Sequence, residues 1–291
     1  MFGRVITAMA TPFTAGGDLD LDGARALAQH LLANGSDGIV VCGSTGESPT
    51  LTFEEKRDLI AAVADAVGGR ADVIAGTGTY DTRESIHLSQ MAAENGANGL
   101  LVVTPYYSRP PQSGLLAHFK AVADATPLPV ILYDIPVRTG RKIDHDTLLD
   151  LAGVANIIGV KDAAGDLAGT ARLAAEKPAE FIIWSGDDAL ALPMMSVGAY
   201  GVISVAAHLA GPKIKEMIES YVKGDTDRAG SLARELVPLF DVLFITSNPI
   251  PLKAGLALAG LPAGDPRLPL PPATSDERSK VHRVLKELGL L

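Results

Sequence analysis

Cysteine is all but absent. Cys42 stands alone in 291 residues, so no intramolecular disulfide can form, and no CxxC or Cys/His spacing around it suggests a zinc site. A buried structural thiol is the expectation. An excess of positive charge is missing too, with 25 Lys and Arg against 34 Asp and Glu, a net charge of −9 and a pI near 5.1. Nucleic-acid binders present a basic stripe to neutralise phosphates, and none is found. A small anionic substrate stays open, because a few local Arg, Lys or backbone N–H groups outweigh a distant negative field. No segment approaches the roughly 20 apolar residues that span a bilayer. The opening MFGRVITAMATPF lacks the continuous apolar stretch of a signal peptide. Low-complexity segments are absent as well. The expectation is a cytoplasmic protein without nucleic-acid or membrane partners.

What is there is ordinary globular composition, 47% hydrophobic and 20% charged, enough to bury a substantial core. Short apolar runs alternate with longer segments of helical period. Strands are predicted at 5–9, 38–41, 73–76, 99–103, 130–133, 157–161, 181–185 and 201–204. Amphipathic helices are predicted between them, among others at 52–67, 82–95, 113–125 and 167–175. Strands that are apolar throughout belong to parallel sheets buried on both faces. Eight repetitions predict closure into an α/β (β/α)8 TIM barrel. The competing open, doubly wound sheet often carries a Gly-rich dinucleotide fingerprint after its first strand, which is missing here.

The last barrel helix contains Ile214, Met217, Ile218, Tyr221 and Val222 and should end near Gly224. Beyond it, Leu232, Leu236, Leu239, Phe240 and Leu243, then Val281, Val284, Leu285 and Leu288, recur at helical spacing with no strand between. Residues 1–224 are therefore read as the barrel and 225–291 as a helical C-terminal extension, with the Pro-rich stretch 261–272 as a connection inside it.

Lys161 ends the run IIGVK, so its strand would deliver an amine to the C-terminal mouth where such barrels place their active sites. Partial desolvation disfavours an ammonium and supplies the neutral amine that attacks a carbonyl. The plainer reading is a lysine reaching solvent or pairing with Asp162. After the second strand, GSTGE at 43–47 has glycines for a tight loop and successive N–H groups for a carboxylate. It is equally a common turn, with Glu47 capping a neighbouring backbone. Tyr133 ends VILY and is followed by DIPVRTG, which brings a phenol and Arg138 toward the same mouth. A tyrosine relays protons when coupled to another hydroxyl, and arginine is a bidentate carboxylate partner; a core aromatic and a solvated loop charge are the alternatives. TPYYSRP adds Tyr106 and Tyr107 after the fourth strand, as chemistry or as aromatic packing.

In combination GSTGE, YDIP at 133–136, GVKDA at 159–163 and SGDD at 185–188, spread from ITAMATPF to NPIPLK, resemble the dihydrodipicolinate synthase and N-acetylneuraminate lyase family of pyruvate-dependent aldolases. The resemblance implies that Lys161 forms a Schiff base with pyruvate while Tyr133, Thr45 and Tyr107 move protons, Tyr107 entering from a neighbouring subunit. It implies that Ser44 and Thr45 hold the pyruvate carboxylate, that Gly186 and Ile203 line the pocket, and that neither cofactor nor metal takes part. Ser44 departs from the threonine common in this family. Arg138 resembles the residue that receives the carboxylate of aspartate semialdehyde, which favours that aldehyde over a sialic acid. The alternatives are another pyruvate aldolase, a 2-keto-3-deoxy sugar acid lyase, or a non-catalytic ligand-binding barrel.

The same resemblance implies a homo-oligomer, a tetramer of two tight dimers. It also places an effector cleft for L-lysine at Ser48, Pro49, Phe53, Lys56, Tyr80, Glu84 and Tyr106. Glu84 and Tyr106 fit that cleft. Lys56 and Tyr80 depart from it, one adding a cation and the other bulk, so weak inhibition by L-lysine is the expectation.

Overall fold

In the computed structural model, which describes residues 2–291, eight parallel strands close on themselves in chain order. They are β1 (Val5–Ala8), β2 (Gly38–Val41), β3 (Asp72–Gly76), β4 (Gly99–Val103), β5 (Val130–Asp134), β6 (Ile157–Asp162), β7 (Ile182–Ser185) and β8 (Gly201–Ser204). All eight lie where apolar runs predicted them, with five ends differing by a residue: β1 stops before Met9, β3 begins at Asp72, β5 and β6 continue through Asp134 and Asp162, and β7 begins after Phe181. Around them run α1 (Leu21–Ala33), α2 (Phe53–Val67), α3 (Thr82–Glu94), α4 (Gln112–Asp124), α5 (Pro136–Thr139), α6 (His145–Ala152), α7 (Leu167–Glu176), α8 (Ala191–Ser196) and α9 (Ala207–Val222).

Local chemistry starts these helices where they start. Thr52 and Glu55 form a capping box at the head of α2, each side chain satisfying the other's backbone N–H. Asp20 caps α1 by accepting from the Gly23 N–H. Helix α9 kinks at Ala210, just before Pro212, and begins earlier than its periodic stretch suggests.

Side chains alternate between two apolar layers. Ile6, Val40, Ile74, Leu101, Ile131, Trp184 and Ile203 fill the barrel interior. Val5, Ile39, Val73, Leu100, Val130, Val160 and Val202 pack outward against the helices. That alternation within all-apolar strands is what burial on both faces requires.

Residues 225–291 hold α10 (Thr226–Val242), α11 (Ile250–Leu258) and α12 (Ser275–Glu287). Two of the three are the helices that periodicity predicted. The third, α11, escapes a periodicity argument because Ile250 through Leu256 are all buried, leaving no polar face to contrast with an apolar one. Leu232, Leu239, Leu252, Leu256, Val281 and Leu285 join the same apolar layer as the outward strand residues, so these helices share the barrel's core.

Candidate active site

Residues paired across a sheet point to the same side. Tyr133 of β5 is in register with Lys161 of β6, and Lys161 with Trp184 of β7. Tyr133 and Trp184 belong to the interior layer, so Lys161 also enters the barrel, near its C-terminal mouth. Its Nζ lies 4.3 Å from the centroid of the Tyr133 ring, a favourable place for a cation and a packed place for an amine.

Lys161 is only 4% exposed. Burial lowers its pKa from 10.5 to about 8, with the Asp188 carboxylate opposing that fall and the Arg138 guanidinium adding to it. Asp188 is itself buried, accepting from the Val205 and Ala206 N–H groups at 2.9 and 3.0 Å and from the Ser204 hydroxyl. Gly186 makes room for the lysine stem: a Cβ there would lie 2.8 Å from the Ala163 Cβ and 3.2 Å from the Lys161 Cε. Ile203 is fully buried in the interior layer below.

The GSTGE loop crosses the mouth beside Tyr133. The Ser44 side chain makes a polar contact with the phenol, while burial pushes the phenol up to about 12 against the opposing effects of Arg138 and Ser44. Thr45 is buried, and its hydroxyl accepts a 2.8 Å hydrogen bond from the Asn248 amide. Among the described residues no hydrogen bond joins Thr45 to Tyr133. Cys42, just before the loop, is a buried thiol raised to about 12 by desolvation, a structural group as expected.

Glu47 ends the loop with φ 54°, in the left-handed region. Its carboxylate does more than cap a backbone. One oxygen lies 2.6 Å from the Lys253 ammonium, with both side chains 1% exposed, and the other accepts the Arg267 N–H at 2.8 Å.

A cavity of about 290 Å³ opens above, lined by Ser44, Tyr133, Arg138 and Asn248 on one side and by Ser48, Lys56 and Tyr106 on the other. Arg138, on the short helix α5, is exposed at the rim and donates to the Asn248 carbonyl at 3.3 Å. Ser44, Tyr133 and Arg138 line this cavity, Lys161 lies buried behind Tyr133 and against Gly186, Thr45 is tied in through Asn248, and Ile203 stays in the interior layer. Tyr107 does not join them within the chain: it is 93% exposed, with φ 69°.

A family model described as the dihydrodipicolinate synthetase family matches residues 1–288. The chain belongs to the dihydrodipicolinate synthetase family. A 4-hydroxy-tetrahydrodipicolinate synthase from Moorella thermoacetica is 57% identical over 290 residues, covering 100% of this chain and 99% of the relative. A crystal structure of the synthase from Cyanidioschyzon merolae with lysine bound superposes with a TM-score of 0.98 at 45% identity, over 100% of this chain and 99% of that one. A structure described as a monomeric dihydrodipicolinate synthase variant has a TM-score of 0.97 at 37% identity, over 100% of this chain and 98% of that one.

Among the described residues of this family member, no group of three or more His, Cys, Asp or Glu is placed to hold a metal ion. No helix there is long and apolar enough to cross a membrane. Three residues of the mouth were not singled out from sequence: Asn248, Lys253 and Asp188. All stand in motifs quoted above, NPIPLK and SGDD, but nothing local connects them to Thr45, Glu47 and Lys161.

Proposed function

We propose that the protein condenses pyruvate with L-aspartate 4-semialdehyde to give 4-hydroxy-tetrahydrodipicolinate, a Schiff-base-forming lyase reaction of lysine and diaminopimelate biosynthesis. The observation that carries this reading is Lys161, a buried amine with pKa about 8 against Tyr133 at the barrel mouth. A lysine near neutrality is a nucleophile for a ketone, and a packed, largely dry site favours the uncharged form.

The Lys161 amine attacks C2 of pyruvate, and loss of one water gives the imine. The backbone and hydroxyls of Ser44 and Thr45 receive the pyruvate carboxylate. Loss of a C3 proton gives the enamine, whose carbon adds to the semialdehyde aldehyde carbon while the new alkoxide takes a proton. Tyr133, whose phenol meets the Ser44 side chain, is the relay for these protons together with Tyr107 of a partner subunit. Arg138 at the rim receives the semialdehyde carboxylate. The amino group of the condensed product then attacks the imine carbon, closing the ring and expelling Lys161. No cofactor enters this sequence.

Exposure of Tyr107 supports an assembly in which that side chain completes a second copy's site, and a tetramer of two tight dimers is the assembly proposed. Lys56 borders the cavity without an ion-pair partner among the described residues, and Tyr80 packs edge-on against Tyr106 at 5.4 Å. These two features support weak binding of L-lysine in the effector cleft.

Borohydride added with pyruvate should inactivate the protein and leave a reduced pyruvate adduct on Lys161 by mass spectrometry. A coupled assay should show turnover with aspartate semialdehyde and little with sugar aldehydes. An adduct on another lysine, or none, rejects the mechanism; preference for a sugar aldehyde rejects the substrate.

A further inference from the structure

Two segments at the barrel mouth hold each other. One, 104–111, follows β4 and carries Tyr107; the other follows β5 and comprises α5, with Arg138, and residues 140–144. Arg109 donates its Nε–H to the Gly140 carbonyl at 2.9 Å, and Arg141 returns a bond from Nη2 to the Arg109 carbonyl at 3.1 Å. Gln112, at the head of α4, repeats the exchange: its amide donates to the Lys142 carbonyl at 2.9 Å and accepts the Asp144 N–H at 3.1 Å. Four bonds thus clasp residues that lie 30 to 32 positions apart in sequence.

The clasp is built into the backbone. Tyr107 and Arg109 both hold left-handed backbone, with φ 69° and 49°, a strain that a residue with a Cβ keeps only where its surroundings fix it. Gly140 closes α5 with φ 69°, and the Arg109 stem lies against it: a Cβ on Gly140 would meet the Arg109 Cδ and Nε at 3.4 Å. The Arg141 Nε is buried with no hydrogen-bond partner, a cost that a freely solvated arginine would escape. The Arg138 guanidinium makes only a long bond to the Asn248 carbonyl, 3.3 Å, so its place at the rim depends on where α5 sits.

We propose that Arg109 and Arg141 are positioning residues: by pinning the end of α5 to the Tyr107 segment they fix Arg138 for the aspartate-semialdehyde carboxylate, a role that rests on Arg138 being its receiver. Neither touches a reactant. Each acts by limiting where the Arg138 guanidinium sits, so the loss on removing one falls on recognition of the second substrate and spares the imine.

The test is steady-state kinetics of the intact enzyme with both substrates, beside pyruvate-dependent borohydride trapping on the plateau of its pH profile. Arg109→Ala should raise KM for aspartate semialdehyde about fivefold, the worth of one hydrogen bond, with KM for pyruvate and the trapping rate unchanged. Arg109→Lys, which keeps a donor beside the Gly140 carbonyl, should recover most of that loss. Added to Arg138→Ala, Arg109→Ala should cost nothing further, because the guanidinium it positions is already gone. Losses that multiply, an unchanged KM for aspartate semialdehyde, or trapping that falls in step with turnover would overturn the proposal. If Arg109→Ala does not fold, Arg141→Ala removes the reciprocal bond and carries the same cycle. An Arg138→Ala enzyme with an unaltered KM for aspartate semialdehyde would reject the reading of Arg138 itself, an outcome distinct from multiplied losses, which reject only the clasp.

Discussion

Between the Lys161 amine and water stands a burial that favours the neutral form, only partly offset by the nearby Asp188 carboxylate. With a pKa of about 8, half the amines are neutral at that pH, whereas an ordinary lysine would be neutral in only about 0.3% of molecules. Because the pKa is lowered, the reactive form is gained as pH rises through 8 and lost below it. The rate of pyruvate-dependent borohydride trapping should therefore climb about tenfold per pH unit below 8 and level off above it. A climb continuing to pH 10 would show an unperturbed lysine. Arg138 contributes to the lowering, so Arg138→Ala should move this midpoint upward while sparing the imine itself. The same change should cut kcat/KM for aspartate semialdehyde by about 10²-fold, through the lost bidentate partner. Equal loss of trapping and turnover would point to collapse of the rim instead.

Helix α11 does for the GSTGE loop what no residue of the loop can do alone. Burial lowers the Lys253 pKa and the Glu47 carboxylate opposes that shift, so the pair depends on staying together. Phe13 stacks under both Lys253 and Arg267, at 4.1 and 4.2 Å, and Arg267 forks onto Glu55 of α2. Removing one charge of a fully buried pair leaves the other uncompensated, at a cost of about 3–5 kcal/mol. Lys253→Met should accordingly lower the urea midpoint strongly, and Glu47→Gln added to it should restore part of the loss. If Lys253→Met left the midpoint unchanged, the pair would be incidental to the loop. None of this was legible in advance. In the sequence GSTGE reads as a turn or an anion nest, with Glu47 as a local cap, because its partner lies more than 200 positions away in a helix whose all-round burial erases its periodicity.

For the whole molecule, the side chain at issue is Tyr107, which is exposed and does not line its own chain's cavity. If it serves a second copy, two inactive variants should complement each other. Mixed after co-refolding, Lys161→Ala and Tyr107→Phe chains should recover about a quarter of wild-type activity, since half the random dimers are mixed and each mixed dimer has one intact site. No recovery would argue that each chain supplies its own relay. The effector cleft is tested by titrating L-lysine into the coupled assay at saturating and at limiting pyruvate. Lys56 adds a cation where a cationic ligand would sit, and little inhibition is expected. Strong saturable inhibition in either series would show that the cleft accommodates both Lys56 and Tyr80.

The barrel was legible because its signals are local. Each strand buried on two faces is an unbroken apolar run, each amphipathic helix repeats at 3.6 residues, and a lysine at the end of IIGVK reaches the mouth wherever that strand sits in the ring. The sequence by itself therefore determined the eight-stranded architecture, the position of Lys161 and Tyr133 at strand ends, and the family. Only the tertiary structure decided that Lys161 is dry enough for a pKa near 8, that Asn248 meets Thr45, that Lys253 neutralises Glu47, and that Tyr107 faces outward. Burial and pairing of charges depend on which distant segments pack over the barrel mouth, and no window of neighbouring residues carries that information.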